Sequence, residues 1–132
     1  MKLTLEPGGE IDSPSAAVVS HSLRSLPANA GAFAILARGE QRYIQTAGSP
    51  GEGFVLEYRE GSERQHYRCH LDRLTLDQVE RAFLSYLDGR DDYKTELPWE
   101  PGFGSSGPRF LWLAGFLLAG VSLGIYWCWR LS

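Results

Sequence analysis

The sequence predicts an α+β fold: an antiparallel sheet of four to five strands packed against two helices, followed by a single C-terminal transmembrane helix. Three observations predict it. Short apolar–polar runs alternate with Gly-rich turns between residues 32 and 71, which reads as an antiparallel meander. Segments on either side of those runs repeat apolar residues at spacings of three and four, the period of a helix buried on one face. The 20-residue run from Phe110 to Trp129 contains no charge. A length of 132 residues allows one domain of usual size. The composition, 43% hydrophobic and 22% charged, excludes collagen, a disulfide scaffold and a wholly disordered chain. That average conceals a division. The run 110–129 is hydrophobic at 16 of 20 positions, whereas residues 1–109 hold 40 hydrophobic residues.

The opening residues Lys2 to Glu6 offer a fifth strand. Asp12-Ser13-Pro14 is a helix start, with Ser13 as N-cap and Pro14 at the first helical position. Ala16, Val19, Leu23 and Leu26 then form one apolar face, and Pro27 and Asn29 stop it. Four strands follow at Ala32–Arg38, Gln41–Ala47, Phe54–Arg59 and Gln65–Leu71. Gly39-Glu40, Gly48 to Gly53 and Glu60-Gly61 turn the chain between them. In FVLEYR, Phe54, Leu56 and Tyr58 share one side while Val55 and Glu57 share the other. Thr75-Leu76-Asp77-Gln78 matches a capping box. Leu76, Val79, Phe83, Tyr86 and Leu87 make the buried stripe of the second helix, and Gly89 suits its C-terminal cap. Residues 1–97 are thus expected to fold as one module.

Residues 98–109 begin PWEPGFGSSGP, with three Pro and three Gly, which is linker composition. Residues 110–130 are expected to be the transmembrane helix. At about 1.5 Å per residue the run spans about 30 Å, the thickness of a bilayer core. Arg109 and Arg130 bracket it, and Trp112, Tyr126, Trp127 and Trp129 sit near its ends as interfacial aromatics do. The N-terminus MKLTLEPGGE has no apolar h-region, and two residues follow Arg130. These features predict a tail anchor: single-pass, in the inner membrane, with the N-terminal module in the cytoplasm. Gly120 and Gly124 form a GxxxG pair, and Gly115 with Ala119 a second small pair. Such pairs allow close helix packing and a homodimer through the span. The plainer reading is that Gly is common in membrane helices.

Residues 1–108 carry 16 acidic and 11 basic side chains, a formal charge of −5. That argues against a nucleic-acid partner. His66, Cys69 and His70 are the one candidate metal cluster, but alternation points Cys69 away from the two histidines, and zinc requires about four converging ligands. No metal and no cofactor are expected. Ser20, His21 and Ser22 are adjacent on a helix and therefore aim apart. No GxSxG elbow or P-loop occurs. Asp91 and Asp92 follow a helix end and read as solvated. No catalytic residue is assigned and no enzyme is expected. A sheet covered by helices on one side leaves the other open, and the polar and aromatic candidates there are Tyr43, Gln45, Glu57, Arg59, His66 and Arg68. Tyr and Arg are favoured interface anchors, so these six are the expected partner-binding residues. The plainer reading is that half of them simply solvate the sheet.

The stretch GFVLEYREGSERQHYRC, then LTLDQVERAFLSYLDG, then LPWE, resembles small bacterial immunity proteins that neutralise toxins delivered between competing cells. The resemblance covers roughly residues 53–100 and carries no individual binding residue. The membrane run departs from their usual soluble form. It implies a toxin-neutralising role at the inner membrane. The expected function is therefore a tail-anchored cytosolic protein-binding module, with the bilayer as partner of residues 110–129. The alternative is a structural or regulatory subunit of a membrane complex assembled through the span.

Overall fold

The computed structural model describes residues 1–28, 31–71 and 73–102. Within them lie seven strands, three α-helices and a short 3-10 helix (Glu63–Gln65, between β5 and β6), in the order β1 (Lys2–Glu6), β2 (Gly9–Asp12), α1 (Ala16–Arg24), β3 (Phe33–Gly39), β4 (Arg42–Ser49), β5 (Gly53–Glu60), β6 (His66–Cys69), α2 (Leu76–Leu87), α3 (Asp92–Glu96) and β7 (Trp99–Pro101). All strands join one antiparallel sheet in the order β2-β1-β3-β4-β5-β6-β7. The fold class is α+β, as expected, but the sheet has seven strands rather than four or five. The two additions, β2 and β7, are short edge strands. The transmembrane helix expected at 110–130 lies outside the described residues, as do Gly115, Ala119, Gly120 and Gly124. No helix among the described residues is long and apolar enough to cross a membrane.

Alternation divides the sheet into two faces. Leu3, Leu5, Ala34, Leu36, Ile44, Phe54, Leu56 and Tyr58 point to the first, and all three helices pack there. Helix α1 contributes Val19 and Leu23, α2 contributes Val79, Ala82, Phe83 and Tyr86, and α3 contributes Tyr93. This is the main hydrophobic core. Thr75 and Gln78 make the reciprocal capping box at the start of α2, and Gly89, at φ 75°, ends it. The Gly89 and Arg90 N–H groups bond to the carbonyls of Tyr86 and Ser85, the pattern of a Schellman cap. The N-cap of α1 is Ser15, not Ser13: the Ser15 hydroxyl accepts from Val18 N–H at 3.2 Å. Ser13 instead sits at φ 49° and donates its N–H to the Met1 carbonyl, closing the β1–β2 hairpin.

The folded part extends past residue 97. Pro98 accepts from the His70 N–H at 2.8 Å, and Trp99, Glu100 and Pro101 pair with Cys69, Arg68 and Tyr67. Trp99 packs its ring edge-on against Tyr58 at 4.6 Å and donates its indole N–H to the Tyr93 carbonyl at 2.8 Å. The first residues of the expected linker are therefore a strand, because Trp99 has an aromatic pocket to fill. That corner is dry enough to act on its phenols. Burial pushes Tyr58 and Tyr86 up to about 12 and raises Tyr93 as well.

Candidate functional site

The six expected partner-binding residues all lie on the second face. Two cross-strand rows contain them: Gln45–Glu57–Arg68 and Tyr43–Arg59–His66. The sheet thus brings the whole set together. Their burial differs from expectation. Tyr43, Gln45, Glu57, Arg59 and His66 are each at most 2% exposed, so the open, solvated face is corrected to a closed one. Arg68 alone keeps part of its side chain in solvent, 3.5 Å from Glu100 on β7.

The buried groups form a chain of hydrogen bonds. Gln45 Nε2 donates to Glu57 Oε2 at 3.1 Å. His66 Nε2 lies 2.7 Å from Glu57 Oε1. Arg59 Nε donates to His66 Nδ1 at 3.1 Å, and Arg59 Nη1 donates to Gln41 Oε1 at 2.8 Å. A guanidinium only donates, so Nδ1 must accept. That assigns the proton to Nε2, which donates to Glu57. His66 is then a neutral bridge between a buried carboxylate and a buried guanidinium. Burying either charge alone would cost several kcal/mol; the bridge lets each be compensated.

Two donors of this network have no acceptor among the described residues: the Tyr43 hydroxyl and Arg59 Nη2, both fully buried. Arg59 lies over the Tyr43 ring at 5.6 Å, and Tyr43 meets the His66 ring edge-on at 6.4 Å. Burial drives the Tyr43 phenol well above its ordinary range, partly offset by Arg59. Beside the polar rows lies an apolar patch of Phe33, Ile35 and Ala47, flanked by Ala37 and Val55. At the β7 end of this face Gly102 donates its N–H to the His66 carbonyl at 2.7 Å. A Cβ on Gly102 would run into the His66 ring, so only glycine fits there.

Residue alternation found the shared face but missed Gln41, Gly102, Phe33 and Ile35 as members of the site. Gln41 reads as the first residue of a strand, and nothing in the sequence aims it at Arg59. The metal candidates separate as alternation predicts: Cys69 is buried on the helix side, where desolvation raises its thiol, and His70 is exposed beside Glu100 at 3.1 Å. Among the described residues no three His, Cys, Asp or Glu side chains gather as a ligand set. Asp91 and Asp92 are separately paired, with Lys94 and Arg90. Two surface grooves of about 340 and 410 Å³ lie elsewhere, one between α2 and α3 and one beside the β4–β5 turn. Neither contains a residue of the second face. Comparison with known protein families, with curated proteins and with solved structures finds no match.

Proposed function

We propose that the chain is a non-catalytic protein-binding module attached to the bacterial inner membrane through residues 110–129, with its N-terminal module in the cytoplasm. The observation that carries this reading is the uncharged run itself: 20 residues without a single Asp, Glu, Lys or Arg match the span of a bilayer core. The proposed binding surface is the second face of the sheet, where Arg68 is partly exposed and the other five candidates are buried. Its support is compositional. A charged, hydrogen-bonded set on a sheet face adds little stability over apolar side chains, but it confers selectivity on whatever lies against it. The likeness of residues 53–100 to immunity proteins makes a toxin acting at the inner membrane the specific partner proposed. The small pairs Gly115/Ala119 and Gly120/Gly124 favour a second reading, a subunit of a membrane complex assembled through the span.

Cell fractionation tests the attachment. The full chain is expected in the membrane fraction after carbonate extraction, and Leu117→Arg with Leu118→Arg is expected to release it. A wild-type chain found in the soluble fraction refutes the reading. Replacing residues 110–129 by an unrelated span separates the two functions. Binding through the sheet survives that exchange, and assembly through the span does not.

A further inference from the structure

We infer that residues 91–102 act as a conformational strap: seated, they hold His66 in the buried network of the second face, and released, they unlock it while the helix-side core stays folded. The coupling stands on its own; its use, to give a partner access to His66 and Arg68, rests on the binding reading above.

The segment's path joins the two faces. It leaves the end of α2 on the first face, forms α3, and reaches the sheet edge as β7. Tyr93 lies in the helix-side core. Further along the same stretch Gly102 lies against the His66 ring on the other face. One short length of chain thus rounds the β6 border and touches both layers that the sheet otherwise separates.

Its two ends are fastened by different chemistry. On the first face Trp99 donates its indole N–H to the Tyr93 carbonyl at 2.8 Å, which ties α3 to β7 within the strap. Both rings meet Tyr58 edge-on, Tyr93 at 5.2 Å and Trp99 at 4.6 Å. Lys94 pairs with Glu60 on β5 and lies 5.9 Å from the Tyr58 ring. On the second face the Gly102 N–H meets the His66 carbonyl at 2.7 Å, and an added Cβ would come within 2.2 Å of His66 Cδ2. Glu100 reaches Arg68 at 3.5 Å. His66 in turn bridges Glu57 and Arg59. The strap therefore bears on the central member of the charge network through both its carbonyl and its ring.

The ladder between these fastenings is thin. Strand β7 pairs with β6 over three residues, and Pro101 brings no N–H to it. Short edge elements open at a lower free energy than the centre of a sheet. Tyr93 and Trp99 seat on one ring and are bonded to each other, so they leave together. Opening takes Gly102 from His66 and Glu100 from Arg68, and it leaves Val19, Leu23, Val79 and Phe83 in the helix-side core.

Hydrogen exchange and histidine NMR on the full chain in detergent micelles test the strap. The Gly102 and His70 amides bond to the His66 and Pro98 carbonyls, near the two ends of β7. In the wild type they are expected to exchange at one rate, about a hundredfold faster than the amides of β3 and β4. Trp99→Leu changes a side chain on the first face. It is expected to shift the His66 ring signals and to speed both amides about tenfold further. Val19→Ala, a cavity elsewhere in the same core, is expected to leave the His66 signals in place. Gly102→Ala strikes the other end and is expected to shift the same signals. A shift in Gly102→Ala alone is a local clash and overturns the coupling, as does an equal shift in Val19→Ala. Exchange of the two wild-type amides at the rate of β3 and β4 also overturns it, and that measurement needs no variant to fold. None of these readouts involves a partner, so failure of the strap and failure of the binding reading are told apart.

Discussion

The two faces of one sheet solve burial in opposite ways. The first face is covered by α1, α2 and α3 with aliphatic and aromatic side chains, and it asks for little beyond shape: Leu3, Leu36, Ile44 and Leu56 meet Val19, Leu23, Val79 and Phe83 without a charge among them. The second face buries a carboxylate, an imidazole and a guanidinium in the same few rows. Hydrophobic packing is adaptable and tolerates exchange of similar volumes. A buried hydrogen-bonded charge set tolerates little, because each member leaves its neighbour unpaired when lost. The first face therefore tolerates repacking, and the second does not.

Phe83→Ala strikes the first face hardest. It empties a fully buried aromatic site and is expected to cost about 3–5 kcal/mol, read as a lower urea midpoint. Glu57→Gln strikes the second. It leaves the Arg59 charge without its carboxylate and is expected to cost about 3 kcal/mol in the same measurement. The contrast sharpens with a triple variant. Exchanging Glu57, Arg59 and His66 together for Leu, Leu and Phe is expected to recover most of that loss, whereas no second change nearby rescues Phe83→Ala. If the triple variant is less stable than Glu57→Gln, the second face is structural in the same sense as the first.

Alkaline pH separates the phenols. Tyr58 and Tyr86 sit at about 12 in the folded protein, against 10.0 for a free phenol. A folded value above the unfolded one contributes stability that is complete below pH 10 and is lost as pH rises from 10 through 12. Each unit of separation is worth about 1.4 kcal/mol. Tyrosinate absorbance should appear late and together with unfolding. The smallest effect belongs to the helix layer: Thr75→Ala removes the capping box of α2 and is expected to cost about 1 kcal/mol, with the second face unaffected.

Much of this was legible in the residues. Strands β3 to β6 announce themselves through alternation and through the glycines between them, and α2 through Thr75, Gln78 and Gly89. Strands β2 and β7 are too short to show a period. GEID has a single apolar residue, and WEP is hidden in a Pro/Gly-rich stretch. The displaced cap of α1 has a non-local cause: the Ser13 N–H is taken up by the Met1 carbonyl, a contact that no local pattern reveals. At the site, alternation placed Tyr43, Gln45, Glu57, Arg59, His66 and Arg68 on one face correctly. It could not show that the face is closed, because burial depends on what else packs there. Gln41, read as the start of a strand, gives no sign that it completes the Arg59 network.

The borders of the sheet narrow how a partner can approach. A protein can be recruited by adding its own strand to an unpaired border, where free N–H and C=O groups wait. Here both borders are poor templates. Strand β2 has four residues, two of them the acids Glu10 and Asp12. Strand β7 has three, and Pro101 offers no N–H. An incoming chain would find too few partners to zip against on either side. Among the described residues the rim therefore offers little backbone for strand addition, whether by a partner chain or by a second copy.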